Sequence, residues 1–406
     1  MKIGIITNLY PPYTRGGAEQ VIVRTVGQLL AMGHDVFVIT GKPKSAGNYV
    51  ELDRSSTERV YRVRSKNIYF TLDDHKYSRA TRLLWHVIDA FGWSAARAVR
   101  EIVEDERPDV VVTHNLKGIG LTIPMVLRSL GVPHVHVVHD VQLIHPSGLI
   151  MHGKERQSIF LRPLLKLYQM VCSLLFGNPP IVISPSRYLE EMYTDSGLFS
   201  RSKMVLMPNP APNYADPLDR ARSPGPLKLL FVGQLAAHKG IRFLLDVFAS
   251  YSGEARLLIA GDGQLRSLVE RRALADKRII YLGYTPSEEM PKVFQVVDAV
   301  VVPSLCYENS PTVIYEALQS GIPVIASRIG GVAELLVEGK SGLLIEPGNP
   351  QALLEAIQLM DKQKEAFSHA RAAIHATVAD YSLEKYAIRF VQALEEAIAV
   401  TKERSL

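Results

Sequence analysis

The chain has 406 residues, 47% of them hydrophobic and 21% charged. That balance excludes a disordered, collagen-like or low-complexity protein. The length exceeds one ordinary core, so two domains are expected. A formal net charge of +5 favours anionic small molecules or an anionic membrane surface, although a solvated basic face between Arg59 and Arg100 also accounts for it. No aromatic-and-basic repeat accompanies the charge, so nucleic acid is not an expected partner. Cys172 and Cys306 are too few for a disulfide framework or a thiolate zinc site and fit a reducing cytoplasm. The apolar start is too short for a signal peptide. The stretch 164–176, broken by Lys166 and Gln169, falls short of the roughly 20 residues that span a bilayer.

In chain order, the runs 2–7, 36–40, 110–113, 133–139 and 181–184 are rich in Val and Ile. Helical-period stretches such as 19–32 and 95–105 separate them. Continuous apolar strands alternating with helices predict a parallel sheet buried on both faces. After residue 226 the pattern restarts, with strands expected at 229–232, 257–260, 279–282, 299–303, 323–326 and 342–345. Prolines 208, 210, 212, 217, 224 and 226 exclude helix and central strand between the two series. The expected organisation is a first domain over 1–207, a Pro-rich linker over 208–226, a second domain over 227–380 and a C-terminal helix within 381–406. That helix, apolar at Tyr386, Phe390, Leu394 and Ile398, can pack on either domain, the first included. In doubly wound sheets ligands bind beyond the carboxyl ends of the strands.

Several strand-end loops carry chemistry. Gly16 and Gly17 precede a helix, where backbone N–H groups make an anion site or simply a tight turn. His139 ends the 133–139 strand and can exchange a hydrogen bond with a substrate hydroxyl, or pack at a domain interface. His134 and His136 share a strand face, and a metal site with His139 or His145 is conceivable, but no Cys or paired acid completes it. Gly233 and Gln234, then Lys239, follow the 229–232 strand, and a lysine there neutralises departing phosphate. Gly261-Asp262-Gly263 reads as half a dinucleotide fingerprint or a plain turn. The stretch from Pro303 to Leu318 is the most informative. Glu308 sits in its loop, and Pro311 opens a helix whose first N–H groups, at Thr312 and Val313, suit a diphosphate. Glu316 lies about a turn further on. Two acceptor-only carboxylates suit the hydroxyls of two sugars, although helix charges are more often merely solvated.

Taken in order, these features resemble the family 4 retaining glycosyltransferases over essentially the whole chain. They are joined by Ser184-Pro185-Ser186, Pro208-Asn209, Gly321-Ile322-Pro323 and Gly330-Gly331. The resemblance implies an α/β GT-B fold, two doubly wound Rossmann-like domains facing across a cleft. It also implies a hexosyltransferase using a UDP- or GDP-sugar, with no cofactor and no metal. The donor would be held mainly by the second domain, and the acceptor, a glycan, lipid-linked sugar or small alcohol, by the first. Residue by residue, Glu316 would bind ribose hydroxyls, Glu308 the transferred sugar, Lys239 the diphosphate and His139 the sugar near its reacting centre. Gly17 backbone would face the diphosphate from the other side.

Three departures stand out. Gln234 replaces the family's usual arginine, with Arg15 or Arg328 as candidate replacements for the charge. Asn309-Ser310-Pro311 replaces Gly-Phe-Gly, and Asn209-Pro210 replaces Asn-Gly. The rival readings are a non-catalytic sugar-nucleotide-binding scaffold and a nucleotide-sugar epimerase; the latter does not normally carry the spaced glutamates. Basic and bulky apolar residues alternate from Lys154 to Tyr168 and continue apolar to Phe176. They suit peripheral docking on the inner face of an anionic membrane, or packing of Leu164, Leu167, Val171, Leu174 and Leu175 into the first domain.

Overall fold

The computed structural model describes residues 1–44, 49–53, 57–153, 155, 162–214 and 225–404. The chain forms two compact units. The first comprises Met1–Leu149, Gln157–Pro208 and Glu384–Leu406, the second Ile150–Arg156 and Asn209–Leu383.

The first unit is built on an eight-stranded sheet. Its strands are β1 (Lys2–Thr7), β2 (Asp35–Gly41), β3 (Val50–Asp53), β4 (Arg59–Val63), β5 (Val110–Thr113), β6 (His134–Val137), β7 (Ile181–Ser184) and β8 (Lys203–Leu206), in the order β3-β4-β2-β1-β5-β6-β7-β8. All neighbours pair in parallel except β3 against β4. The central strands are rich in Val and Ile because helices cover both faces of such a sheet. Ile3, Ile5, Val110 and Val112 pack against Ile22, Val26 and Leu29 of the helix Gly17–Ala31. Tyr386, Phe390, Leu394 and Ala397 of the helix Leu383–Glu403 complete that core. Of the two options for the C-terminal helix, the first unit holds it.

β3, β4 and β8 are not among the expected strands. Arg59 and Arg62 interrupt the apolar pattern of β4, and both are paired: Arg62 with Asp53 at 3.0 Å, Arg59 with Asp35 at 3.0 Å and Glu106 at 3.1 Å. β6 ends at Val137, so His139 lies in the loop beyond it rather than at the strand end.

The second unit holds a six-stranded, all-parallel sheet of β9 (Leu227–Val232), β10 (Ala255–Ala260), β11 (Ile279–Gly283), β12 (Ala299–Val302), β13 (Val324–Ser327) and β14 (Gly342–Ile345). Its order, β11-β10-β9-β12-β13-β14, winds outward in both directions from the β9/β12 pair. A crevice opens at such a reversal beyond the strand ends. In the first unit the same reversal falls between β1 and β5.

A domain boundary at residue 207 does not describe Ile150–Arg156, which belongs to the second unit. The reason is a short backbone ladder. His152 N–H donates to Leu305 O at 2.9 Å, Tyr307 N–H donates to Ile150 O at 2.9 Å, and Met151 bridges Cys306. Of the expected linker, 215–224 lies outside the described residues, while Ala211 N–H donates to Tyr381 O at 2.7 Å.

Candidate active site

In the second unit, two loops converge at the β9/β12 reversal. The loop after β9 begins at Gly233, whose φ is +145°. A Cβ on Gly261 would lie 1.9 Å from Gly233 O, and one on Gly263 would lie 2.8 Å from Leu235 N. Leu235 N–H also donates to Asp262 O at 2.9 Å. Gly261 and Gly263 are therefore glycines because one loop lies directly on the other, a role distinct from a phosphate fingerprint. A short turn, Ala237–Lys239, ends at Gly240, where a Cβ would meet Pro303 O at 1.9 Å. That close approach brings Lys239 to the loop after β12.

Lys239 Nζ is 2.7 Å from Glu308 Oε1, and Ser304 Oγ donates to the same oxygen at 2.7 Å. Burial alone would raise the Glu308 carboxyl, but the Lys239 ammonium and the Ser304 hydroxyl outweigh it and hold it below the ordinary carboxylate value. Burial likewise works to lower Lys239, yet Glu308 prevails and its pKa is raised. Both groups are charged at neutral pH. Burial, then the Lys239 charge, lowers the neighbouring His238.

After Glu308, the Asn309-Ser310-Pro311 loop leads into the helix Thr312–Gln319, with Pro311 as its cap. Asn209 Nδ2 donates to Ser310 O at 3.0 Å, and Ser310 Oγ lies 2.6 Å from Tyr315 OH. The first N–H groups of any helix, here those of Thr312 and Val313, have no acceptor inside it. Glu316 follows one turn later and is 8% exposed. Gly331 N–H donates to Glu308 O at 2.8 Å, and a Cβ on Gly330 would lie 2.1 Å from that oxygen. Ser304, Asn209 and Gly330 thus fix the Glu308 loop; Pro208-Asn209 and the Gly-Gly pair carry a signal in the sequence, without its reason, and Ser304 carries none. Both candidate replacements for the charge missing at Gln234 are already ion-paired. Arg15 pairs with Asp74 at 2.8 Å, and Arg328 pairs with Glu338 at 2.9 Å.

In the first unit, His139 stacks on His114, and its Nε2 lies 2.9 Å from His114 Nδ1. Burial lowers His139 to about 4, so the imidazole is neutral at pH 7. His134 and His136 hydrogen-bond within the sheet. They share Thr113 Oγ1, at 2.7 and 2.8 Å, and no cluster of three or more metal-ligating side chains occurs among the described residues. The loops after β5 and β6 also hold a polar network the sequence did not suggest. Gln142 Nε2 donates to Asn115 Oδ1 at 2.7 Å, and Gln142 N–H donates to Asp140 Oδ1 at 2.7 Å. Burial raises Asp140 to about 6.

Gly16 and Gly17 start the helix Gly17–Ala31, but Gly16 N–H donates to Glu19 Oε2 at 2.9 Å. The chain's own carboxylate occupies the Gly16 donor, one of the two glycine amides expected to be open. Among the described residues no helix is long and apolar enough to cross a membrane.

Comparison with known proteins agrees with this architecture. The Glycosyltransferase Family 4 profile matches residues 15–212 and the group 1 glycosyl transferase profile residues 226–361. A protein of the cps region of Klebsiella pneumoniae is 27% identical over 341 residues, covering 82% of this chain and 87% of that one. Sucrose-phosphate synthase from Thermosynechococcus elongatus superposes with a TM-score of 0.72 at 20% identity, covering 98% and 99% of the two chains. Anabaena Alr3699/HepE in complex with UDP-glucose gives 0.68 at 17%, covering 97% and 99%. The two sheets are those of a GT-B glycosyltransferase. The chain belongs to glycosyltransferase family 4, the group 1 glycosyl transferases.

Proposed function

We propose that the protein moves a hexose from a UDP- or GDP-sugar to a hydroxyl acceptor, with retention of anomeric configuration and without a metal. The observation that carries this reading is the Lys239–Glu308–Ser304 cluster at the strand reversal of the second sheet, next to the helix start at Pro311. Lys239 and the N–H groups of Thr312 and Val313 bind the diphosphate, with Gly233 and Gln234 lining the same loop. They stabilise the negative charge that grows on the leaving group, as a metal does elsewhere. An ammonium has three donors, so its bond to Glu308 leaves Lys239 able to reach a phosphate oxygen.

Glu308 accepts from the hydroxyls of the transferred sugar and Glu316 from the ribose. Glycosyl transfer passes through an oxocarbenium-like state, and a neutral His139 serves as a hydrogen-bond partner near the reacting carbon. The second unit is the donor domain, with Gly17 backbone as a further hydrogen-bond donor to the diphosphate, and the first unit takes the acceptor, which is a glycan end, a lipid-linked sugar or a small alcohol. The solved Anabaena complex with UDP-glucose supports a nucleotide-sugar donor.

A thermal-shift panel of nucleoside diphosphates and their sugars tests the donor, because a ligand that binds only the folded state raises the melting point. Release of nucleoside diphosphate in the presence of a strong chelator tests the chemistry. A panel with no stabilising nucleotide, or activity lost on chelation and restored by manganese, contradicts the reading.

A further inference from the structure

The helix Arg162–Phe176 in the first unit buries Cys172, Leu175 and Phe176 but leaves four large apolar residues on the outside. Leu164, Leu167, Met170 and Leu174 are 63%, 52%, 54% and 68% exposed, and at 100° per residue they fall on one stripe. The inward side is fastened by polar contacts: Tyr168 OH donates to Gln142 O at 2.6 Å and Gln169 Nε2 to Ile144 O at 3.1 Å. Arg128 clamps the end of the helix through Leu175 O at 2.8 Å and Leu174 O at 3.1 Å. Of the five residues read as packing into the domain, Leu175 is buried and Val171 half-buried, while Leu164, Leu167 and Leu174 face outward.

A second helix, Arg79–Ala90, repeats the pattern. Trp85 anchors it, 1% exposed, with Nε1 donating to Tyr69 O at 2.9 Å. Leu83, Leu84 and Val87, with Phe91 and Trp93 just beyond, are 67%, 55%, 52%, 53% and 55% exposed. Isolated exposed leucines need no explanation, but seven large apolar side chains on two anchored helices of one unit, with Phe91 and Trp93 following one of them, mark an interaction surface.

Charge selects the partner. The only acid in either helix, Asp89, is 5% exposed and accepts from Gly118 N–H. Outward charge comes from Arg82, Arg162 and Lys166. A second copy of the chain on this face would set these cations against one another with no acid between them. An anionic bilayer satisfies both features at once, taking the apolar side chains at the headgroup–acyl boundary and the cations among phosphates.

We propose that the faces of Arg79–Ala90 and Arg162–Phe176 dock the protein on an anionic lipid surface. The assignment goes beyond the transferase reading and is tested without it, by binding alone. Cosedimentation is measured with phosphatidylcholine vesicles and with vesicles carrying about a quarter phosphatidylglycerol. The protein should partition at least tenfold more strongly to the anionic vesicles, and high salt should weaken that preference. Leu167→Asp with Leu174→Asp should cut binding at least tenfold with an unchanged melting point, since both side chains are exposed. Arg162→Glu with Lys166→Glu should remove the preference for anionic lipid. Equal or absent binding to the two vesicle types overturns the proposal. So does a dimer in ultracentrifugation that the Leu167→Asp, Leu174→Asp variant dissociates without any vesicle binding, which would make this face an interface between copies.

Discussion

Lys239 Nζ and Glu308 Oε1 stand 2.7 Å apart, although 69 residues separate them in the chain and their loops leave different strands. The glycine at 240 makes the approach possible, because any Cβ there would strike Pro303 O. The pair is partly buried, so each partner shields the other from an uncompensated charge. In a double-mutant cycle of Lys239→Met and Glu308→Gln, the coupling measured by chemical denaturation should be about 0.5–3 kcal/mol. The pH dependence follows from the two shifts. Glu308 is depressed, so its contribution is present above about 4.3 and is lost as pH falls through the lower folded value. Lys239 is raised, so its contribution is present below about 10.4 and is lost as pH rises through the folded value. A coupling that stays flat from pH 3 to 11 would refute the pair.

Glu316→Gln should fold normally and weaken UDP or GDP binding by about 1.5–3 kcal/mol, the worth of charge-assisted hydrogen bonds. Isothermal calorimetry reads this directly. Unchanged affinity removes Glu316 from the ribose site.

Gly330 and Gly339 provide a controlled comparison. Both have positive φ, +59° and +73°, but a Cβ at 339 meets nothing within 4 Å, while one at 330 lies 2.1 Å from Glu308 O. Gly339→Ala should cost only the backbone preference, about 1–2 kcal/mol. Gly330→Ala should cost more and lower turnover at least tenfold, by displacing the Glu308 loop. Equal effects on melting point and turnover would mean that the loop yields freely.

The buried histidines predict acid sensitivity in the first unit. Burial lowers His134 to about 3 and His139 to about 4, and His114 and His136 also fall well below the usual value. The unfolded chain binds more protons below about pH 6.5, so stability is lost as pH falls from there, at about 1.4 kcal/mol per pH unit for each histidine that must stay neutral. Asp89 and Asp140, raised by burial to about 7 and 6, act in the opposite sense but are outnumbered. The denaturation midpoint should drop between pH 7 and pH 5, and His134→Gln should flatten the drop.

The parallel strands were legible because burial on both faces favours Val, Ile, Leu and Ala along them, as in β12, whose four residues are Ala and Val and all buried. β4 was hidden because its arginines are neutralised by Asp53, Asp35 and Glu106, partners that no local pattern reveals. Glu308, Lys239 and Glu316 could be singled out because they are charged and stand at strand ends or in the helix that follows. Ser304 could not, since a serine in a loop has many uses, and Asn209 stood out as part of a motif but without its hydrogen bond to the Glu308 loop. Gly16 misled for a physical reason. The glycine pair does open a helix, but Glu19, at the third helical position, reaches back to fill the amide.

The helix Leu383–Glu403 supplies Tyr386, Phe390 and Leu394 to the core of the first unit, yet it follows the whole second unit in the chain. During synthesis the first sheet must therefore wait, its apolar face only partly covered by the helix Gly17–Ala31, while the remaining strands are made and folded. Only when the ribosome has released this helix does the first core close, so the part of the protein that begins earliest is finished after the part that begins later.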